Sequence, residues 1–91
     1  MEKQHIERVL DSVIERLAEI EHERWSHWQD YMHSRGVRQA DGSLIIPPDL
    51  VKRWDRQMAT AYAELSETER ESDRDQVRKY LGIIKGVLLK S

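Results

Sequence analysis

The chain contains no cysteine among its 91 residues. That removes disulfides, thiolate nucleophiles and Cys-ligated zinc together, and it fits a reducing compartment. Phenylalanine is absent as well, and glycine and proline are held to four and two. With so few breakers and no low-complexity tract, one ordered domain is expected from about residue 4 to about residue 88. Long apolar runs are missing. The amino terminus, Met1-Glu2-Lys3-Gln4-His5, has no signal core, and the stretch Leu81 to Leu89 is interrupted by Gly82, Lys85 and Gly86. No export, no membrane span and a cytoplasmic location are therefore expected. An excess of positive charge is lacking too. Fifteen Lys and Arg against 17 Asp and Glu give a net charge of -2, the wrong sign for gripping phosphate backbones nonspecifically, so nucleic acid is not expected as a partner. There is no phosphate-cradling glycine loop. Ser26, Ser34, Ser43, Ser66, Ser72 and Ser91 sit in no nucleophile-elbow pattern, so the chain is read as a binder rather than an enzyme, with no cofactor.

What is present is helical periodicity. Ile6, Leu10, Val13, Leu17 and Ile20 recur at spacings of four and three, which places them on one face of a helix. The stripe continues to Trp25, Trp28, Tyr31 and Met32 after an extra step, so the buried face rotates along the helix. Arg35-Gly36 is expected to close it, with glycine in the left-handed conformation and arginine at the negative carboxyl end. One long helix is thus predicted over residues 3–35. Residues 36–48 form an ordered loop with an Asp41-Gly42 turn and a short extended run that two prolines end, placed as a lid over the core. A helix over 49–60 carries Leu50, Val51, Trp54 and Met58 inward. Ser66-Glu67-Thr68-Glu69 reads as a capping box that starts a third helix, over 66–89, with Val77, Leu81, Ile84 and Leu88 inward. Gly82 and Gly86 either break that helix or admit a close neighbour, each costing about 1 kcal/mol relative to alanine. The expected fold is all-α, a long amino-terminal helix packed with two or three shorter ones and little or no β structure.

Two segments carry a family resemblance. They are Leu17-Ala18-Glu19-Ile20-Glu21-His22-Glu23-Arg24-Trp25 and Tyr62-Ala63-Glu64-Leu65-Ser66-Glu67-Thr68-Glu69-Arg70-Glu71-Ser72-Asp73-Arg74-Asp75-Gln76-Val77. Together they resemble the RyR domain, the repeat of ryanodine receptor calcium channels that also occurs as small stand-alone bacterial and phage proteins. The pattern L-A-E-x-x-H-E-x-W is followed there by a glycine-containing loop and Y-x-E-L-x-E-x-E-x-x-x-D-R-x-x-V. The resemblance spans about residues 13 to 84. Between the motifs the family's G-W-x-Y-G and histidine-proline elements are missing, so no loop-borne ligand contact carries over. The resemblance implies a module that recognises a nucleotide or nucleotide-like signal, as a sensor, an adaptor or a sequestering protein. In a phage-encoded copy, sequestration would serve against antiviral defence.

The candidate ligand residues are His22, Trp25, Tyr62 and Arg74, with Arg24, Trp54 and Asp73 as further candidates. Indole rings both fill helical cores and stack on nucleobases. Trp28 and Trp54 are read first as core, whereas Trp25 has a core and a ligand reading open. His22 lies three residues before Trp25 on the same surface, either as a donor to phosphate or base or as partner to a buried polar group. Tyr62 and Leu65 are placed to pin the loop before the third helix. Arg74 suits a bidentate contact to a phosphate, or equally to a glutamate of the first helix. Arg24, Lys52 and Arg53 offer other cations. A metal site is not expected: His22 and His27 are five residues apart, so they point about 140° apart on a helix. A second reading is an assembly subunit, with Ile6, Leu10, Val13 and Leu17 of the amino-terminal helix pairing a homo-oligomer.

Overall fold

A computed structural model describes residues 2–91, and the fold is all-α. Four helices are present among these residues: α1 (Lys3–Asp11), α2 (Ile14–Arg35), α3 (Pro48–Ala59) and α4 (Glu67–Lys90). A two-stranded antiparallel hairpin, β1 (Val37–Arg38) with β2 (Leu44–Ile45), joins α2 to α3, and a 3-10 turn at Tyr62–Glu64 joins α3 to α4.

The expected single helix over 3–35 is two helices. Ser12 donates its hydroxyl to the Val9 carbonyl at 2.5 Å, the acceptor that the Val13 amide would use in an unbroken helix. Val13 bonds instead to the Leu10 carbonyl at 3.2 Å and takes φ -107°, ψ 4°. A serine that occupies its own helix's carbonyl bends the helix at that point.

Gly36 ends α2 in an extended conformation, φ -76° and ψ 159°, and not in the expected left-handed one. Its lack of a side chain serves a close approach, since a Cβ there would sit 3.2 Å from the Leu44 side chain. The left-handed glycine is Gly42, φ 89°, in the Asp41-Gly42 turn. Asp41 accepts from the Ser43 amide at 2.9 Å and hydroxyl at 2.6 Å, which fixes the register Val37 opposite Ile45 and Arg38 opposite Leu44. The hairpin is no lid: Val37 and Ile45 are more than half exposed.

Pro47 and Pro48 start α3, where a missing amide hydrogen costs nothing. Leu50 is buried and Trp54 half-buried, but Val51 and Met58 face outward, so only half of the expected inward set is inward. The capping box is present as expected: the Ser66 hydroxyl accepts from the Glu69 amide at 3.2 Å, and the Glu69 carboxylate accepts from the Ser66 amide. Glu69 also accepts from Gln57 at 2.8 Å, tying α4 to α3. Helix α4 runs unbroken through Gly82 and Gly86, and a Cβ on either would meet no atom within 4 Å. Neither expectation for those glycines holds within the chain.

Helices α2 and α4 are antiparallel neighbours. Tyr80 of α4 donates to Glu21 of α2, while Arg16, earlier in α2, lies beside Gly82 and Gly86, later in α4. Helix α1 packs on α4. The buried apolar residues are Val9, Val13 and Leu50. The radius of gyration is 18.3 Å, with extents of 56 × 34 × 17 Å. A compact domain of this length would have a radius of about 12 Å, so the helices form an open layer around a very small centre.

Candidate functional site

Helix α2 carries an aromatic shelf because His22 and Trp25, three residues apart, lie one above the other on its surface. Their rings stack with centroids 6.1 Å apart and planes 18° apart. Trp25 is 55% exposed, so a large part of the indole is open to a flat partner. His22 also meets the Ser26 hydroxyl at 3.4 Å, the only hydrogen bond of its side chain among the described residues. A shallow hollow of about 400 Å³ lies against His22, walled by Glu15, Ala18, Glu19 and Glu23.

A second aromatic column stands where α2 meets α3. The Trp28 ring stacks on Tyr31 at 5.5 Å and meets the edge of Trp54 at 5.5 Å and 65°. The Arg35 guanidinium covers Tyr31 at 5.2 Å, an interaction that a ring's negative face favours. Trp28 and Trp54 therefore join two helices, in keeping with a core reading, although Trp28 keeps 42% of its surface exposed. Trp54 is occupied by this packing.

Of the cations expected to hold a phosphate, Arg24 and Arg74 are engaged elsewhere, whereas Lys52 and Arg53 lie exposed on α3 with no ion pair among the described residues. Arg24 pairs with Glu21, and that guanidinium, with the Tyr80 hydroxyl, holds the Glu21 carboxyl below the usual range. Arg74 reaches Glu67 at 2.6 Å and Glu71 at 3.0 Å, both on its own helix. It meets no first-helix glutamate, and the two carboxylates raise its affinity for its proton further. Arg78 continues the ladder to Glu71 and Asp75. These are exposed ion pairs on a helix surface, which add little stability each but do occupy the guanidinium donors.

Tyr62 is 48% exposed in the 3-10 turn, so it does not pin the loop into the interior; Leu65, which follows that turn, is half-buried. Asp73 is exposed and has no hydrogen-bond or ion-pair partner among the described residues. The sequence-predicted set thus falls into two groups. His22 and Trp25 are together on α2, Tyr62 lies in the 3-10 turn and Arg74 in the second turn of α4, and no hydrogen bond, ion pair or ring contact joins these to the α2 pair among the described residues. The motif order along the chain gave no signal of that separation, because both segments read as exposed faces of helices.

On the other side of the α2–α4 pair lies a groove of about 480 Å³ lined by the basic side chains of Arg16, Arg78, Lys79 and Lys90 together with Gly82, Gly86, Ile83 and Val87. It was not anticipated from the sequence. Spacing of the cations along α4 was the available signal, since residues 76–90 carry four basic side chains and no acidic one. Among the described residues, no group of three His, Asp or Glu side chains is placed to hold a metal ion, and no helix is long and apolar enough to cross a membrane.

Comparison of the chain with protein-family models, with curated proteins and with solved structures gave no match in any of the three. Roles for these residues therefore rest on the geometry and on the chemistry of the side chains.

Proposed function

We propose that this chain is a small recognition module of RyR-domain type that works by binding rather than by catalysis and takes a flat heteroaromatic ring, of the kind a nucleotide carries, on the Trp25 indole. The observation that supports it is the exposed His22–Trp25 stack. Stacking a base on such a ring contributes about 1–3 kcal/mol, and His22 supplies one edge hydrogen bond beside it. The surroundings constrain the rest of the ligand. Glu15, Glu19 and Glu23 wall the adjoining hollow, and Arg24 is shared with Glu21. A ligand with few negative charges per base, such as a cyclic nucleotide, suits this surface better than a triphosphate.

One open stack and one or two hydrogen bonds amount to an affinity on the order of 1 mM or weaker for the isolated shelf. Calorimetry against adenosine monophosphate, cyclic mono- and dinucleotides and adenosine triphosphate is the test, with Trp25→Ala in parallel. Binding of a cyclic or monophosphate compound that Trp25→Ala abolishes is the expected result. No binding to any compound, or binding that Trp25→Ala leaves unchanged, refutes the shelf.

A second reading, a subunit of a helical assembly, is favoured by the open shape. The amino-terminal seam first considered for it is largely used inside the chain: Val13 is buried and Ile6 and Leu17 are half-buried, leaving Leu10 at 40% exposure.

A further inference from the structure

The accessible surface of the chain is 7360 Å². A folded monomer of 10.8 kDa exposes about 5,500 Å², so roughly 1,800 Å² is in excess. A standard interface hides about 800 Å² per partner, and obligate homodimers hide about 2,000–5,000 Å² in total. Two copies that each covered the excess would fall inside that obligate range.

The apolar side chains that such a contact needs are already arranged. On α4, Val77, Leu81, Ile84 and Leu88 are spaced by four, three and four, the seam of a helix that packs on another helix. Val77 and Leu81 are more than half exposed and Leu88 is 37% exposed. On α2, Ile14 and Trp25 are each 55% exposed.

These two stripes lie on one side of the helix pair. The Glu21–Tyr80 bond marks the surfaces on which α2 and α4 face each other. At about 100° per residue, Ile14 and Trp25 are turned about 50° from the Leu17–Glu21 side of α2. Val77, Leu81 and Leu88 are turned about 100° from the Tyr80–Val87 side of α4, in the same sense. On antiparallel helices, equal senses of rotation lead to the same side of the pair. The groove with Arg16, Gly82 and Gly86 checks the construction, because its residues are turned the opposite way on both helices.

We propose that this apolar face, Ile14, Trp25, Val77, Leu81 and Leu88, is the interface with a second copy of the chain, paired about a two-fold axis. This rests on the assembly reading above, and because it covers Trp25, the dimer and a ring stacked on that indole exclude each other. The occupant follows from the charge pattern as well as the area. Glu21 is already held by Arg24 and Tyr80, and Arg78 and Lys79 line the groove. A face without an unpaired strip of one sign makes no electrostatic demand on its partner, so the same face on another copy meets it, and a two-fold axis uses each residue twice.

Light scattering on the 91-residue chain over a range of micromolar concentrations tests the proposal. The expected mass is twice 10.8 kDa, and Leu81→Glu weakens association at least tenfold. Because Leu81→Glu can also unfold a chain with so little interior, cross-linking supplies an independent measurement. The protein has no cysteine of its own, so Leu81→Cys with a short bismaleimide gives covalent dimers, whereas Lys79→Cys, in the groove, does not. A monomer at every concentration overturns both the interface and the assembly reading. A dimer that survives Leu81→Glu and is captured through Lys79→Cys but not Leu81→Cys overturns the interface alone.

Discussion

Adding a methyl group at Gly82 should make the protein more stable. Gly82 and Gly86 lie inside α4, where glycine is less favourable than alanine by about 0.8–1.0 kcal/mol because it gives up more backbone freedom on folding. A Cβ at either position meets no atom within 4 Å, so no steric term opposes the gain. For a chain of this size 1 kcal/mol moves the melting temperature by about 4–8 °C, so Gly82→Ala is expected to raise Tm by about 3–8 °C. Gly86, one turn from the end of the helix, should give less because the last turn frays. The assay is thermal unfolding followed by far-UV circular dichroism at a fixed protein concentration, since association alone shifts the midpoint. Mass by light scattering should not change. A fall in Tm, or loss of the dimer on Gly82→Ala, would refute the reasoning, because it would mean that another chain or a ligand fills the space above these glycines.

Three further outcomes follow from the same packing. Val13 is 3% exposed at the α1–α2 bend, so Val13→Ala removes buried methyl groups and should cost about 1.5–2 kcal/mol, read as a lower denaturant midpoint with an unchanged slope. Ser66→Ala removes the amino-terminal cap of α4 and should cost about 1 kcal/mol, with Ser66→Asp retaining most of the stability; equal losses in both would show that the cap is not the cause. Stability should also fall on acidification. Arg24 and then Tyr80 hold Glu21 below the ordinary carboxyl value of 4.5, as Arg74 does Glu67, Ser66 and then Gln57 do Glu69, and Arg78 and then Arg74 do Glu71. A depressed carboxyl contributes fully above its unfolded value and ceases to contribute as pH falls through its folded one. Denaturation midpoints should therefore be level above about pH 5.5 and decline below 4.5; a midpoint that rises in acid would contradict the ion-pair ladder on α4.

Sequence alone determined the elements that depend on neighbours along the chain. The all-α class, the Asp41-Gly42 turn, the proline start of α3 and the Ser66–Glu69 capping box are all set by local hydrogen bonding and backbone freedom, and each stands where the pattern placed it. The His22–Trp25 stack was legible for the same reason, because two rings three residues apart on a helix have to meet. Periodicity could not say which of several apolar stripes is covered. Val77, Leu81 and Met58 carry the spacing of a core yet lie exposed, while Val13 is buried at a bend that a single serine hydroxyl creates. Nor could a string of alternating charges reveal that Arg74 spends its donors on Glu67 and Glu71 and not on a ligand. Those outcomes depend on which helix lies beside which, and that is decided by contacts between residues far apart in the chain. In a protein with so small an interior, those contacts are few, and the surface they leave open is what the tertiary structure alone discloses.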